Sequence, residues 1–460
     1  MRAAGMDSTV APTKPAPVSF PAGIGNIFVF QVFNALSFQM ILGSPMVLYA
    51  KSLGASATVL GLIAGMTPLL VIFQIPAARH VSSVGYKRFV LAGWSTRVAF
   101  IFVMALVPVT EGFLGPATRL SLILFLLFWF NLSRGISSCG WLPWITSLIP
   151  PPIRGRYLAR EAAFVNFASF LAFVLAAATL GGNPQAGHFA TLFAFSALTG
   201  AASLSFMKRI PEGETPEQIR TSTTPVPWRE IAGYPPFRKL LWMNVAWSLA
   251  FGGLGTFTVV FLKVVAGMTE GRILLLSSTT FLGGLGSLWL MGARIDRLGS
   301  KPVLAFSCVG WLVILLGWTL LAARVLAPRL ELVLVLMFLM GLGASMVNMA
   351  NTRLAMAVVP TMGRNHFFAL FSVVGSLVLG LSPIFWGLLI DVFATMQVTW
   401  HGLDLNRFTL FYLLVAAAFI VTLILCQRLD EPEAGSLEDL LRDILQQSPL
   451  RFWLRYWPRA

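Results

Sequence analysis

Long apolar runs separated by short polar segments make up most of the chain. Twelve of these runs approach or exceed the roughly 20 residues that a helix needs to cross a bilayer. Closed β-barrels also satisfy their backbone in lipid, but they show short alternating segments rather than runs such as 120-LSLILFLLFWF-130. The pattern therefore predicts an all-α polytopic membrane protein with twelve transmembrane helices, here called spans 1 to 12. They lie near 24–49, 57–78, 89–109, 119–148, 161–180, 189–207, 240–262, 272–291, 303–323, 332–357, 367–392 and 408–426.

Basic residues are distributed unevenly between the two sets of loops. Of the 33 lysines and arginines, 23 fall in the tails and in the loops on the side of the tails, 7 fall in the opposite loops, and three lie within spans. Because cytoplasmic loops carry an excess of Lys and Arg, this predicts a multi-pass protein of the cell (inner) membrane with both termini cytoplasmic. The net charge of +15 then reflects topology, and no nucleic-acid partner is expected.

A polar, Pro-rich segment divides the spans into two sets of six. The predicted organisation is a disordered cytoplasmic tail at 1–22, a six-helix bundle at 23–207, a cytoplasmic linker at 208–239, a second bundle at 240–427 and a cytoplasmic tail at 428–460. The halves repeat each other, since 49-YAKSLGAS-56 is echoed by 261-FLKVVAGM-268 and 152-PIRGR-156 by 360-PTMGR-364. Two pseudo-symmetric bundles predict a site between them.

The segment 292-GARIDRLGSK-301, here called the signature loop, sets an acid between two arginines in a chain that is only 11% charged. It resembles the G-x-x-x-D-R-x-G-x-K signature of the major facilitator superfamily, and the likeness in topology covers about residues 24–426. The corresponding 78-ARHVSSVGYKR-88, between spans 2 and 3, is a degraded copy that lacks the acid. The resemblance implies the two-bundle fold of that superfamily and a secondary transporter.

In proteins of the superfamily, such a motif latches the cytoplasmic ends of the two halves together. Gly292 permits close packing or a tight turn, and Asp296 is placed to accept hydrogen bonds from a neighbouring helix N-terminus. By pseudo-symmetry the partner is the start of span 5. The alternative is that the basic residues only bind anionic lipid. The predicted gating latch comprises Gly292, Arg294, Asp296, Arg297, Gly299, Lys301, Arg156 and Glu161.

Three arginines lie within spans, where ionisable side chains are costly and are functional candidates by default. Arg134 in span 4 shares a helix face with Asn131 and Ser138, and no Asp or Glu lies in the middle of any predicted span. Arg134 is expected to bind an anionic group or to couple transport, unless helix carbonyls and water satisfy it structurally. Arg97 is near enough to the interface to snorkel, and a structural role is expected for Arg353.

Polar side chains also recur at helical spacing in spans 1 and 10. In the superfamily, spans 1, 4, 7 and 10 line the transport path, so the resemblance implies a substrate cavity between them. Each polar side chain could instead join neighbouring helices by hydrogen bonds. The candidates for the lining are Gln31, Asn34, Asn131, Arg134, Asn244, Trp247, Asn348 and Thr352.

Catalytic and metal-binding constellations are not found in the sequence. The four histidines lie at or outside span ends without an acid or nucleophile partner, and the three cysteines have no paired or metal-ligand spacing. No Gly-rich phosphate loop is present, so ATP is not expected to drive the protein directly. We predict that the protein is not an enzyme and has no cofactor or metal.

The C-terminal tail carries a further helical pattern. Ser436 and Asp439 suit a capping box, and the leucines that follow form one apolar face, which predicts a short amphipathic helix. The last residues, 451–459, interleave arginines with aromatic side chains, as is typical of a segment at the lipid interface.

These patterns and the resemblance predict secondary active or facilitative transport of a small solute by alternating access. The solute is expected to be anionic, or neutral and polar. The expected partners are the lipid bilayer, the solute and a coupling ion such as H⁺, and a monomer is expected. The alternative is a non-transporting membrane scaffold, assembly or sensory protein of the same fold, which uses the degraded loop and the tail to hold a partner.

Overall fold

A computed structural model of the chain describes residues 21, 23–150, 154–212, 233–291, 294–358, 364–400, 403–431 and 435–447. In this part of the chain, twelve helices are long and apolar enough to cross a membrane, which confirms the predicted spans. Residues 1–20, the middle of the predicted linker and residues 448–460 lie outside the described residues, together with the predictions made for them.

The twelve spans consist of unbroken and interrupted helices. In the N-terminal half the helices are Gly25–Leu42 and Ser44–Ser52 (span 1), Ala57–Leu69, the 3-10 helix Leu70–Phe73 and Gln74–Val84 (span 2), Tyr86–Leu106 with the 3-10 helix Pro108–Gly112 (span 3), Pro116–Ser138 and Trp141–Leu148 (span 4), Arg154–Leu180 (span 5) and Ala186–Lys208 (span 6). In the C-terminal half they are Pro235–Phe251 and Leu254–Val264 (span 7), Glu270–Met291 (span 8), Ser300–Ala322 (span 9), Leu330–Val358 (span 10), Arg364–Val392 (span 11) and Arg407–Gln427 (span 12).

Three smaller elements complete the described part of the chain. Helix Arg294–Leu298 lies in the signature loop, and Leu437–Gln447 forms the predicted amphipathic helix, here called the C-terminal helix. Strands β1 (Gln397–Trp400) and β2 (Leu403–Asn406) form an antiparallel hairpin between spans 11 and 12, with Thr399 opposite Asp404. The apolar pattern did not predict this hairpin.

Several spans begin earlier than their apolar runs. Spans 4 and 7 start at Pro116 and Pro235, because proline suits the first helical turn, where its missing N–H has no helical acceptor. Span 5 starts at Arg154 rather than near residue 161, so the basic residues before the apolar run belong to the helix. A boundary set by hydropathy alone therefore truncates these helices.

An even number of spans brings both ends of the described chain to the same face of the bundle. We call this the terminal face and the opposite one the distal face. The distal face carries the loops at 53–56, 181–185 and 265–269 and the β-hairpin, whereas the signature loop and the C-terminal helix lie at the terminal face.

The two halves meet along two seams in which glycines allow close contact. In the first seam, span 2 packs on span 11, and a Cβ on Gly61 would lie 2.2 Å from the backbone oxygen of Pro383. In the second, span 5 packs on span 8, and the N–H of Gly271 donates to the carbonyl of Gly181 at 2.9 Å. Larger side chains would force the helices apart, so these positions fix the distance between the halves.

Among the described residues, the buried hydrophobic cluster that both halves share lies toward the distal face. One large cluster there combines residues of both halves, such as Leu60 and Phe257. Toward the terminal face the clusters of described residues separate: one contains only the N-terminal half, around Trp144, and two contain only the C-terminal half, the larger of them around Leu304. The halves are thus joined by a common core on the distal side and have separate cores on the terminal side.

Candidate functional site

A carboxylate joins the two halves at the distal face. Asp391, at the end of span 11, accepts hydrogen bonds from the backbone N–H groups of Ala57 at 3.0 Å and Thr58 at 2.7 Å. It also accepts one from the Thr58 hydroxyl at 2.7 Å. These donors are in the first turn of span 2, where free N–H groups and the helix dipole favour an anion. We call this contact the distal latch.

The basic residues of the signature loop bind the C-terminal segment of the same half. Arg294 Nε and Arg297 Nη2 donate to the two carboxylate oxygens of Asp443, at 2.8 and 3.0 Å. Lys301 Nζ donates to the carbonyl of Leu429 at 2.9 Å, and Gly299 has the positive φ of 89° that turns the loop into span 9. Gly292 and the side chains of Asp296 and Arg156 lie outside the described residues. The predicted latch between the signature loop and span 5 remains a prediction.

Glu431 completes the contact between the signature loop and the C-terminal segment. Its carboxylate accepts from the N–H groups of Ser300 and Lys301, at the first turn of span 9, at 2.7–2.9 Å. It also accepts from Arg353 Nη1 at 2.8 Å, which gives Arg353 the structural partner expected of it. A helix N-terminus and a guanidinium thus neutralise one buried carboxylate.

Glu161, predicted to belong to the gating latch, is bound within its own half. Its carboxylate accepts a hydrogen bond from the Gln31 side chain of span 1. Glu161 lies in span 5, one helical turn after Tyr157, and its side chain points toward span 1 rather than toward the other half. The Gln31 amide there compensates the burial of the carboxylate. Gln31, predicted to line the cavity, is therefore engaged by this carboxylate.

The polar face of span 4 contacts span 2. Asn131 is 1% exposed; it accepts from the Thr67 hydroxyl at 3.0 Å and donates to the Leu127 carbonyl at 2.9 Å. Arg134 Nη1 lies 3.4 Å from the Thr67 carbonyl oxygen. Asn34 of span 1 accepts from the indole N–H of Trp94 at 3.2 Å. These contacts match the alternative in which polar side chains hold helices together.

In the C-terminal half, the four predicted lining residues lie in three different environments. Asn244 exchanges two hydrogen bonds with Asn351 at 2.9 and 2.6 Å, a partner that the sequence prediction missed. Trp247 stacks on Phe251, with 5.1 Å between the ring centroids, inside an aromatic cluster. Asn348 and Thr352 are exposed.

A cavity of about 230 Å³ lies between the two halves, beneath the distal face. We call it the interhalf pocket. Its walls come from spans 1 and 5 of one half and spans 7, 8 and 10 of the other, and the predicted lining residues are not among them. A larger cavity of about 540 Å³ under the hairpin is lined by the C-terminal half alone. The interhalf pocket is lined by Leu42, Gly43, Ser44, Val47, Phe173, Gly255, Thr256, Val259, Ser277, Thr280, Phe281, Met337 and Met340.

The sequence profile of the Major Facilitator Superfamily matches residues 27–323 and, in a second overlapping match, residues 267–457. The chain belongs to the major facilitator superfamily. It is accordingly a multi-pass integral membrane protein of a family of transporters for small solutes. No curated protein matches the chain significantly.

Solved structures of other superfamily members share the fold. The D-xylose–proton symporter aligns with a TM-score of 0.70 at 13% identity, covering 90% of this chain and 100% of that one. The nucleoside transporter NupG gives 0.59 at 15%, covering 88% and 97%. A bacterial homologue of the human lysosomal transporter Spinster, inward-facing and unoccupied, gives 0.57 at 14%, covering 94% and 100%. At such identities the likeness concerns the fold alone.

Proposed function

We propose that this protein carries a small solute across the cell (inner) membrane by alternating access between its two halves. The observation that supports this most is the distribution of buried hydrophobic side chains. A core common to both halves closes the distal side, while separate cores on the terminal side leave the halves free to part. Such a bundle needs only a rocking of one half against the other to expose a central site on alternate sides.

The direction of the opening follows from the charges. The excess of basic residues assigns the terminal face to the cytoplasm, so the structure corresponds to a state closed to the outside. The distal latch at Asp391 stabilises this state, and the signature loop is the candidate latch for the opposite state. Each latch would be an element with two positions, made in one state and broken in the other.

The substrate is proposed to be a small anionic or neutral polar solute, with H⁺ as a candidate coupling ion. Arg134 is the proposed binding group for an anionic solute, because its guanidinium has a weak backbone contact at 3.4 Å. No Asp or Glu is expected in the middle of a span, which disfavours a cationic solute. The superfamily's structures include a proton symporter, which motivates the choice of coupling ion. The protein is proposed to act as a monomer and to catalyse no reaction.

Proteoliposomes loaded with one labelled solute at a time test this proposal by counterflow. We expect accelerated exchange for at least one solute in a panel of organic anions, sugars and amino acids. Exchange of an anion should fall at least tenfold in Arg134→Gln, whereas exchange of a neutral solute should persist. Absence of exchange for every solute, together with specific capture of one membrane protein by the C-terminal tail, would favour the scaffold function instead.

A further inference from the structure

The β-hairpin of the distal face covers the cavity of about 540 Å³, here called the hairpin cavity. Gln397 of β1 lies directly opposite Asn406 of β2, and Thr399 lies opposite Asp404. Opposed residues of an antiparallel pair project from the same face of the sheet, and residues two apart along a strand share that face. All four polar side chains line the hairpin cavity, so the hairpin presents a polar face to it.

Hydrogen bonds hold the hairpin against the ends of spans 9 and 12. The N–H of Asp404 donates to the Ala323 carbonyl at 3.2 Å, and Asn406 Nδ2 donates to the Ala322 carbonyl at 2.7 Å. Asn406 Oδ1 also caps span 12, because it accepts from the N–H of Phe408 at 2.9 Å. The hairpin cavity is therefore preformed, and its walls need little ordering when a solute binds.

Arg324 lines the hairpin cavity from an unfavourable backbone conformation. With a φ of 58°, it is the one residue other than glycine that has a positive φ in the part of the chain that the structure describes. Span 9 ends at Ala322, and glycine is usual in the left-handed region just after a helix because a Cβ there is costly. An arginine at such a position indicates a use for its side chain. Its ion pair with Asp404, at 3.4 Å and with 70% of the Arg324 side chain exposed, is too weak to supply that use.

A second guanidinium lines the hairpin cavity from the first turn of span 12. Arg407 stacks on the buried ring of Phe408, with 5.3 Å from Cζ to the ring centroid, which restricts the side chain. Among the described residues Arg407 forms no ion pair, and the helix dipole opposes a cation in a first turn. The charged residues of the lining are these two arginines and Asp404, a net charge of +1. The lining therefore favours an anion over a cation.

We infer that the hairpin cavity binds a small organic oxyanion, a carboxylate or a phosphate ester, through Arg324 and Arg407, with the polar body of the solute against the polar face of the hairpin. The planar guanidinium groups match the geometry of both oxyanions. The volume of about 540 Å³ lies within the roughly 300–1,000 Å³ typical of sites for small organic ligands. All lining residues belong to the C-terminal half, so this site goes beyond the proposed function and does not depend on how the two halves move.

Hydrogen exchange read by mass spectrometry tests binding at the hairpin itself. The probes are succinate and glycerol 3-phosphate, each beside its uncharged counterpart, succinamide or glycerol, at constant ionic strength. The variants are Arg324→Gly and Arg407→Gln. Arg329→Gln is the control, since Arg329 is an exposed arginine of the distal face that does not line the hairpin cavity. Arg324→Gly removes the guanidinium and suits the positive φ, so this variant should unfold at the parent temperature or above it.

At least one oxyanion should slow exchange in β1 and β2 saturably in the parent protein and in Arg329→Gln. Its apparent Kd should rise at least about tenfold in Arg324→Gly and in Arg407→Gln, as expected for the loss of a hydrogen bond to a charged group. Succinamide and glycerol should leave the exchange unchanged. The inference is overturned if no probe slows exchange in the hairpin, if the uncharged counterparts act equally, or if either variant keeps the parent Kd.

Arg134→Gln separates this site from the proposed transport site. The hairpin response should persist in Arg134→Gln with the parent Kd, because Arg134 lies in span 4 of the other half. Loss of the response in this variant would overturn the inference and assign it to binding at Arg134. Absence of counterflow for every solute, with the hairpin response intact, would contradict the proposed function and leave the inference standing.

Discussion

Replacing Asp391 by asparagine is expected to release the distal side of the bundle. The carboxylate accepts three hydrogen bonds from Ala57 and Thr58 of the other half, and asparagine keeps the shape while removing the charge. Hydrogen bonds to a charged group contribute about 1.5–3 kcal/mol each when buried. Because Asp391 is partly exposed, solvent screening reduces the loss to about 1–2 kcal/mol in total.

A loss of that size applies only to the distally closed state, since the contact joins the two halves. It therefore shifts the equilibrium toward the distally open state by a factor of about 5 to 30, at about 1.4 kcal/mol per tenfold change. The global stability of each half should change little, because the hydrogen bonds within spans 2 and 11 are untouched.

Cysteine accessibility measures this shift. Val47→Cys, in a background without the native cysteines, places a thiol that is 6% exposed between the halves beneath the distal face. A membrane-impermeant maleimide added from outside should label it about 5 to 30 times faster in Asp391→Asn. Asp404→Asn is the matched control, since this distal acid pairs with Arg324 of its own half at 3.4 Å. Equal labelling in Asp391→Asn and the control would refute the reasoning.

Three further outcomes are expected. Arg97→Met should raise the unfolding temperature, because the guanidinium is 2% exposed, and its Nε and Nη2 have no hydrogen-bond partner among the described residues; a fall would show that stacking on Trp94 outweighs burial of the charge. Asp443→Asn should speed hydrogen exchange in the C-terminal helix, because both ion pairs to the signature loop are lost; unchanged protection would contradict this. Hydrogen bonds from Ser436 lower the pKa of Asp439 in the folded protein. This cap therefore stabilises the C-terminal helix fully above the usual Asp pKa of about 3.9, and its contribution is lost as the pH falls through the lower folded pKa. Hydrogen exchange in the C-terminal helix of Ser436→Ala should lack this acid dependence.

The sequence predicts the spans and the amphipathic tail because both depend on local patterns. A run of apolar residues defines a membrane helix wherever it packs, and the twelve helices appear as expected. Ser436 and Asp439 exchange the predicted capping hydrogen bonds, at 3.0 Å in each direction, because the two residues are three apart on one chain. Interactions within a few residues of each other are therefore readable without a structure.

Contacts between distant segments were not readable in the same way. Asp391 is noticeable in the sequence only as an acid at a span end, and its partners at residues 57 and 58 are more than 330 positions away. The signature loop shows the opposite case. Its motif suggests a partner in span 5, but nothing local indicates that Asp443 binds Arg294 and Arg297 or that Glu431 binds the first turn of span 9.

The predicted substrate cavity rests on polar residues within spans, and it remains a prediction. Asn131 bonds the Thr67 hydroxyl and the Leu127 carbonyl, and Asn244 bonds Asn351, so a polar side chain within a span does not by itself mark a cavity. Two glycines, Gly43 and Gly253, interrupt spans 1 and 7 at similar positions in the two halves. The sequence shows these glycines, but only the structure shows what they pack against: Gly43 lies against Phe173 of span 5, whereas Gly253 lies against Pro383 of span 11.

Alternating access is tested most directly by paired distances across the two faces. Spin labels on Ser52→Cys and Arg329→Cys report the distal separation of the halves, and labels on Arg88→Cys and Arg428→Cys report the terminal separation, all at exposed positions. In lipid nanodiscs, Asp391→Asn should lengthen the distal distance and shorten the terminal distance relative to the parent protein. A single unchanged distance at each face, in the parent and in Asp391→Asn alike, would contradict the account.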